Sequence, residues 1–339
     1  MNLKELAAHL GLSQTTVSRA LNGYPEVSEA TRTRVREAAE RLEYRPNAAA
    51  RRLATGRTGT VAIIFPSERS LLLDPHFLDF LAGVAEKLAD DDVELTLRAT
   101  RRNDELETYR RLVRNRRVDG FIVSSPLIED ERVRLLSDLD VPFVLHGRTD
   151  TQAPYAYLDI DNEGAFRRAT ELLVDLGHRR IGLLNGKREL NFARDREAGY
   201  LAALAAHGIA PDPGLIVNAA MTEEIGYRNA SALLARPQRP TALLAASVLL
   251  AFGAYRAARD LGLVIGKDVS VIAHDDGLPF LKAETLDPPL ATTVSPIRAG
   301  GYRLAELLLA RINGNPPEDL REVAPVDLVF RASIGRMLT

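Results

Sequence analysis

The chain has 339 residues, with 44 Lys and Arg against 46 Asp and Glu, six His and no Cys. That length is too great for one ordinary core and suits two or three domains. The lack of cysteine excludes a disulfide scaffold, a thiol nucleophile and a cysteine metal site, and no apolar run is long enough to span a bilayer. The net charge of −2 hides an asymmetry, because the first 58 residues carry +4 and the rest −6. A basic head on an acidic body suits one part that meets phosphate and another that avoids it.

Leu3, Leu6, Ala7 and Leu10 fall at helical spacing and form one apolar stripe. Gly11 breaks that helix, Ser13 is placed to cap the next, and Val17 and Leu21 supply its buried face. Gln14, Thr15, Ser18 and Arg19 point away from the stripe, each with a side chain able to reach a base edge or a phosphate. Two helices this short make no core alone and read as a helix-turn-helix, whose second helix enters the major groove of DNA. Ser28 then caps a third helix with Thr31, Val35, Ala38, Ala39 and Leu42 inward. After it, Asn47 caps an Ala- and Arg-rich piece that runs through Leu53 and ends at Gly56. A helix of about two turns is marginal in water, so it is expected to fold only against a partner.

From Thr60 onward, short β-branched runs alternate with amphipathic helices. The runs are at 61–65, 93–97, 120–123 and 141–145, with helices near 76–90, 104–116 and 129–138. After Asp159–Asn162 a second series begins, with runs at 181–184, 215–217, 242–245 and 269–272 and helices near 162–176, 191–207, 223–235 and 248–262. Such alternation predicts doubly wound parallel sheets, and two similar α/β halves in tandem predict a clamshell with a cleft between them. Ligands of such sheets sit at the carboxyl ends of strands. The candidate loops therefore carry Ser67 to His76, Ser124 and Ser125, His146 to Arg148, Phe192 to Arg196, Ser247, and Asp275 with Asp276.

Three spaced blocks carry a resemblance: Leu12-Ser13-Gln14-Thr15-Thr16-Val17-Ser18-Arg19-Ala20-Leu21-Asn22, Val27-Ser28-Glu29-Ala30-Thr31-Arg32, and Tyr44-Arg45-Pro46-Asn47-Ala48-Ala49-Ala50-Arg51-Arg52-Leu53. In that order they resemble the lactose/galactose repressor family of bacterial transcription regulators, and the rest of the chain matches too. The resemblance implies that Gln14, Thr15 and Arg19 read bases, and that Thr16, Ser18, Asn22, Thr31 and Asn47 hold the backbone. It places Ala50 on the DNA-contacting hinge and makes Leu53 a wedge in the minor groove. It also implies a helix-turn-helix domain at 1–46, a hinge helix and linker at 47–58, and a two-lobed periplasmic-binding-protein-like α/β domain at 59–339 for effector binding and dimerisation. The first lobe would comprise about 59–160 and 292–322, and the second about 161–291 and 323–339. In that scheme the helix near 298–313 returns to the first lobe and the strand near 326–330 to the second.

Two residues match effector contacts of the family: Arg196, which opens Arg196-Glu197-Ala198-Gly199-Tyr200, and Asp275, after the last second-half run. An arginine fork and a carboxylate suit neighbouring hydroxyls of a polyol, and the rings of Phe77 and Phe192 suit the apolar face of a sugar. Ser67, Ser124, His146 and Ser247 complete the candidate set. One departure is that Ser247 is followed by Val248 where many members carry an aspartate. Another is the apolar run Ser70-Leu71-Leu72-Leu73, which with His146-Gly147-Arg148-Thr149 looks closest to members sensing glucosides or oligosaccharides.

Catalytic motifs are missing from the sequence: it has no H-E-x-x-H pair, no G-x-x-x-x-G-K-[ST] loop and no G-x-S-x-G elbow. Adjacent residues of one loop, as in His274-Asp275-Asp276, rarely converge on a metal. The basic run from Arg110 to Arg117 reads as a solvated helix face. The expectation is a cytoplasmic, cofactor-free and metal-free repressor of carbohydrate-utilisation genes, a homodimer or tetramer released from a palindromic operator by a sugar. Competing readings are an activator or corepressor-dependent regulator of the same build, a sugar-binding transport protein, which would need a signal peptide, and an α/β enzyme acting on sugars.

Overall fold

The computed structural model describes residues 2–21, 24–42, 44, 56–67 and 74–337, and the chain divides into one unit up to Gly59 and a second from Thr60. Asn22, Asn47, Ala50, Leu53, the hinge helix and the apolar run at 70–73 lie outside the described residues.

The described residues of the first unit hold three helices, α1 (Leu3–Leu10), α2 (Gln14–Leu21) and α3 (Glu29–Arg41). Asn2 and Glu5 cap the start of α1 reciprocally, and Gly11 ends it in the left-handed region at φ 63°. Ser13 Oγ accepts from the Thr16 amide at 3.0 Å and Ser28 Oγ from the Thr31 amide at 3.3 Å, so both expected caps are present. Leu6, Leu10, Val17, Ala20, Val35 and Ala38 form the core. On α2 the fully buried partner of Val17 is Ala20, three residues on, whereas Leu21 is only half-buried. Arg34 donates to the carbonyl of Leu10 at 2.7 Å, tying α3 to an open carbonyl at the end of α1.

The second unit begins with β1 (Thr60–Pro66), α4 (Pro75–Asp90), β2 (Glu94–Thr100), α5 (Glu105–Arg114), β3 (Gly120–Ser124), α6 (Glu131–Asp138), β4 (Phe143–His146) and β5 (Ala156–Ile160). It continues with α7 (Asn162–Asp175), β6 (Ile181–Asn185), α8 (Asn191–Ala206), β7 (Ile216–Asn218), α9 (Glu223–Leu234), β8 (Ala242–Ala245), α10 (Val248–Asp260) and β9 (Ser270–Asp275). The last elements are β10 (Ala291–Val294), α11 (Ile297–Ile312), β11 (Arg321–Ala324) and β12 (Asp327–Val329). They build two six-stranded sheets, ordered β11-β5-β4-β3-β1-β2 and β12-β10-β9-β8-β6-β7. Among the paired strands of the described residues, the β10–β12 pair alone is antiparallel. Near-continuous apolar runs such as Val61 to Phe65 and Ala242 to Ala245 are buried because helices cover both faces.

Leu304, Leu307 and Leu308 of α11 join the first lobe's core beside Val61, Ile63 and Phe80, and β12 joins the second sheet. The chain therefore passes between lobes three times: after β5, after β10 and after β11. Two strands differ from the expectation. Residues 292–294 belong to the second sheet through β9, and 323–324 to the first through β5, so the lobe limits lie near 295 and 325. A Cβ on Gly83 would meet the carbonyl oxygen of Arg298 at 1.9 Å, and one on Gly301 that of Phe80 at 2.2 Å. The backbones of α4 and α11 thus touch, which fixes the height of Phe80 in the wall between the lobes. No helix among the described residues is long and apolar enough to cross a membrane.

Candidate functional site

A cavity of about 460 Å³ lies between the two lobes at the carboxyl ends of their strands. The first lobe lines it with His76, Phe77, Phe80, Ser124 and His146, the second with Phe192, Arg196, Ala246 and Asp276, and the crossing segments with Asn162, Ser295, Pro296 and Ala324. Phe77, Ser124, His146, Phe192 and Arg196 are thus brought together as the sequence predicted.

Arg196 is 5 % exposed and lies between the Phe166 and Phe192 rings, 5.0 Å from each centroid. Its Nε donates to Asn162 Oδ1 and its Nη1 to the carbonyl of Ala246, both at 2.7 Å. Burial lowers its pKa to about 10 against the favourable fields of Asp276 and Asp159. It remains a cation at neutral pH, held by neutral partners, so an acceptor arriving in the cavity meets a charge that the protein has not fully neutralised. Asn162 also donates to Asp159 at 3.1 Å, and Asp159 accepts from Arg148 at 2.6 Å, giving a polar chain that links the lobes behind the cavity.

His146 ends β4 and stacks flat on Phe80, with centroids 4.6 Å apart and planes 7° apart. Burial lowers its pKa, more than the nearby Asp159 and Asp276 raise it, so the ring is neutral and can both donate and accept. Phe77 meets Phe65 edge to face at 5.9 Å while lining the cavity, so it is at once core and wall.

Three predicted residues lie elsewhere. Ser67 is exposed, and its amide donates to Thr100. Ser247 is fully buried as the cap of α10, accepting from the Leu250 amide. Asp275 accepts from the Gly277 amide at 2.8 Å and does not line this cavity; its neighbour Asp276 does, together with Asp74, Asp159 and Glu322. Side chains alternate along a strand, so at the end of β9 His274 and Asp276 share one side and Asp275 takes the other. Because Arg196 and Asp276 both come from the second lobe, the pair is no bridge across the cleft.

Asp276 is held between two histidines. Its Oδ2 lies 3.2 Å from His76 Nε2 and its Oδ1 3.4 Å from His274 Nε2, while His76 Nδ1 pairs with Asp74 at 2.9 Å. Burial disfavours charge on His76, but the hydrogen bonds to Asp276 and Asp74 outweigh it and raise its pKa to about 10. Burial would raise Asp276, yet the histidines hold it well below the carboxylate range. His274 is pushed down by burial and by Arg196. A cationic His76 facing an anionic Asp276 therefore joins α4 of one lobe to β9 of the other. Sequence reasoning missed Phe80 and Asn162 as lining residues, although Asn162 sits in a polar burst just after β5; His76 closes the candidate loop 67–76 without having been singled out there. Among the described residues no group of three or more His, Cys, Asp or Glu could hold a metal ion.

On the first unit, Gln14, Thr15 and Arg19 are exposed on α2, and Thr16 and Ser18 are half-buried. The Thr16 hydroxyl lies 2.8 Å from Ser13 Oγ and that of Thr31 2.9 Å from Ser28 Oγ, so both are oriented by the caps. Such a surface, capped and otherwise polar, offers donors and acceptors at a helix N-terminus, the part of a reading helix that meets bases.

Residues 2–47 match the family model described as bacterial regulatory proteins, lacI family, and 170–334 the periplasmic binding protein-like domain. The chain is 46% identical over 338 residues to the HTH-type transcriptional regulator AglR of Rhizobium meliloti (strain 1021), covering 99% of this chain and 94% of that one. It is 32% identical to the transcriptional regulator CelR in a cellobiose complex, with a TM-score of 0.73 over 98% of this chain and 99% of that one. The lac repressor dimer bound to operator and the anti-inducer ONPF superposes with a TM-score of 0.77 at 27% identity, over 98% of each chain. With a helix-turn-helix at its head and a cleft between two α/β lobes, the chain belongs to the lacI family of bacterial regulatory proteins and is a DNA-binding transcriptional regulator.

Proposed function

We propose that the protein is a cytoplasmic homodimeric repressor of carbohydrate-utilisation genes, released from a palindromic operator by an uncharged glucoside or oligosaccharide bound between the lobes. The observation that carries this reading is the chemistry of the cavity wall. Rings of Phe77, Phe80, His146 and Phe192 offer flat apolar faces, and the wall adds charged donors in Arg196 and Arg303 and charged acceptors that include Asp276, Asp159 and Glu322. A sugar ring presents an apolar face and a rim of hydroxyls that both donate and accept, so it fits both sets. Four carboxylates on the wall, Asp74, Asp159, Asp276 and Glu322, against Arg196, Arg303 and a cationic His76 leave no net positive charge to hold a phosphate or a carboxylate, which argues for a neutral ligand. A volume of about 460 Å³ lies within the usual range for small-molecule sites. The cellobiose bound to CelR supports a sugar of this size.

In this mechanism Arg196 and Asp276 grip the sugar from the second lobe while the first lobe covers it. Ligand that binds one lobe orientation better than the other shifts the population, and with it the geometry delivered to the two DNA-binding units of a dimer. On DNA, Gln14, Thr15 and Arg19 would read bases, Thr16, Ser18, Asn22, Thr31 and Asn47 would hold phosphates, and Ala50 and Leu53 would lie at the operator centre. The test is a thermal-shift screen of mono-, di- and trisaccharides, followed by operator titration with each hit. A ligand at one hundred times its Kd adds about 2.7 kcal/mol of stability. Weaker operator binding with the hit supports an inducer, and tighter binding replaces the repressor reading with a corepressor one.

A further inference from the structure

The cation that faces the cavity is oriented through a chain of buried polar groups. Arg148 Nε donates to Asp159 Oδ2 at 2.6 Å, and Asn162 Nδ2 donates to Asp159 Oδ1 at 3.1 Å. The Ile160 amide donates to the same Oδ1 at 2.8 Å. Asn162 Oδ1 is then the atom left to accept from Arg196 Nε, at 2.7 Å. At its other end Arg148 donates to Asp195 at 3.3 Å, which also accepts from Asn191 at 3.0 Å and from Arg194 at 3.2 Å. Asp195 precedes Arg196 on α8, so the chain closes on itself through the helix backbone. Asp159, Asn162 and Arg196 are all buried, out of reach of water that could stand in for a lost partner.

We propose that Asp159 is a positioning residue for the effector: it fixes the Asn162 amide with its oxygen towards Arg196, and so aims the guanidinium fork at the cavity. The proposal rests on the reading of the cavity as the effector site. An asparagine side chain fits its space either way round, and its neighbours decide which end meets which. A carboxylate accepts and does not donate, so Asp159 takes the NH2 of Asn162. A guanidinium donates and does not accept, so Arg196 takes the oxygen. Inside the protein Arg196 spends one N–H on Asn162 and one on the Ala246 carbonyl. Both N–H groups of its Nη2 have no acceptor among the described residues, and they are the fork offered to a ligand oxygen. In Asp159→Asn, Arg148 takes the one remaining oxygen at 159 and leaves an NH2 facing that of Asn162. The Asn162 amide then turns round, donor meets donor at Arg196, and the fork swings off its aim.

Two double variants test the order of donors and acceptors. Asp159→Asn with Asn162→Asp keeps the charge count: the carboxylate at 162 accepts from Arg196, and the amide at 159 donates to it and accepts from Arg148, leaving only the Ile160 amide without its acceptor. Asp159→Asn with Arg148→Met frees the oxygen at 159 to accept from Asn162 again. The Nε–H of Arg196 reports on the chain before any ligand is added. In heteronuclear NMR of the full-length protein its resonance is the one missing from Arg196→Met. Its exchange with water should be slow in the parent, about tenfold faster in Asp159→Asn, and within about threefold of the parent in both doubles. A parent rate in Asp159→Asn, or fast exchange in either double, overturns the proposal, and the doubles decide it alone if the single does not fold. Cellobiose and maltose titrations read the consequence. For whichever sugar binds the parent, Asp159→Asn should weaken affinity about tenfold, the exchange of 159 with 162 should recover it to within about threefold, and Asp159→Asn should cost nothing further in Arg196→Met. Asp159 also borders the cavity, so a further loss in Arg196→Met means that it touches the sugar itself, and refutes the positioning role. If neither sugar binds the parent, the sugar reading fails, while exchange at Arg196 Nε–H still decides whether Asp159 sets the fork.

Discussion

The helix that meets DNA and the cavity between the lobes handle polar side chains in opposite ways. On α2 the candidate reading residues Gln14, Thr15 and Arg19 stand exposed, and what holds the helix is elsewhere: the Ser13 cap and the buried Val17 and Ala20. In the cavity the polar groups are buried and already paired, Arg196 with Asn162 and Ala246, and Asp276 with His76 and His274. An exposed group contributes little until its partner arrives, so changing it alters binding and leaves stability alone. A buried one serves the fold and the ligand together. The contrast separates two readouts, affinity and melting temperature, that the two regions should move differently.

The largest effect is expected at Arg196→Met, which keeps the packing between Phe166 and Phe192 and removes the charge. Losing a charged hydrogen bond to the ligand costs about 1.5–3 kcal/mol, a tenfold to more than hundredfold loss of effector affinity. Asn162 Oδ1 and the Ala246 carbonyl also lose their donor, so the melting temperature falls as well. Operator affinity without ligand should stay at the parent value, and target genes should remain silent when sugar is supplied. Melting curves and operator titrations check all three outcomes. If effector affinity is unchanged, Arg196 is a structural pin only.

Arg19→Ala probes the other side of the comparison. The expected loss is about 1–3 kcal/mol of operator affinity, with relaxed base preference at one position of each half-site. Melting should stay within the roughly 0.5 kcal/mol typical of surface changes. Equal losses on operator and random DNA would move Arg19 to the phosphates.

These two residues also show how far the sequence carries. Arg19 was legible because helical spacing assigns each residue to a face, and Val17 settles which face is inward. Arg196 was legible through its R-x-x-G-aromatic setting. The lobes' alternating runs were plain, but β5, β10 and β11 were not. Ala291-Thr292-Thr293-Val294 and Arg321-Glu322-Val323-Ala324 are four residues each, mixed in polarity, and take their place only because a neighbouring strand offers an edge. His76 and Phe80 gained their roles from helix α4 packing on α11, a contact between segments more than two hundred residues apart.

A smaller effect, and a sharper one, concerns the histidine that joins the lobes. His76 is raised from 6.5 to about 10, since the bonds to Asp276 and Asp74 overcome its burial. A raised pKa means the folded state holds the proton more tightly than the unfolded chain does. The stabilisation is therefore complete below about pH 6.5 and is lost as pH rises towards 10. His76→Gln removes that dependence. The melting-temperature gap between parent and variant should be widest near pH 6 and shrink steadily up to pH 10. A gap that is constant across this range would mean that His76 is neutral in the folded protein and that its pairing with Asp276 carries no charge.

The smallest effect is predicted for Asp275→Asn, and it matters because Asp276→Asn sits one residue away. Spacing in the sequence cannot choose between adjacent aspartates, since a shift of one position at a strand end reverses which side chain faces the cleft. The structure turns Asp276 into the cavity and leaves Asp275 to accept from the Gly277 amide. An asparagine at 275 keeps an oxygen to accept that bond. Effector affinity should then stay within about twofold, below the 1.4 kcal/mol that marks a tenfold change. Asp276→Asn removes the anion that pairs with His76 and that meets the ligand hydroxyls, so it should weaken effector binding at least tenfold. Calorimetric titration of both variants with the same sugar distinguishes them. If Asp275→Asn is the one that loses the ligand, the end of β9 carries the opposite face to the cavity when sugar is bound, and the second lobe's grip must be rebuilt around Asp275.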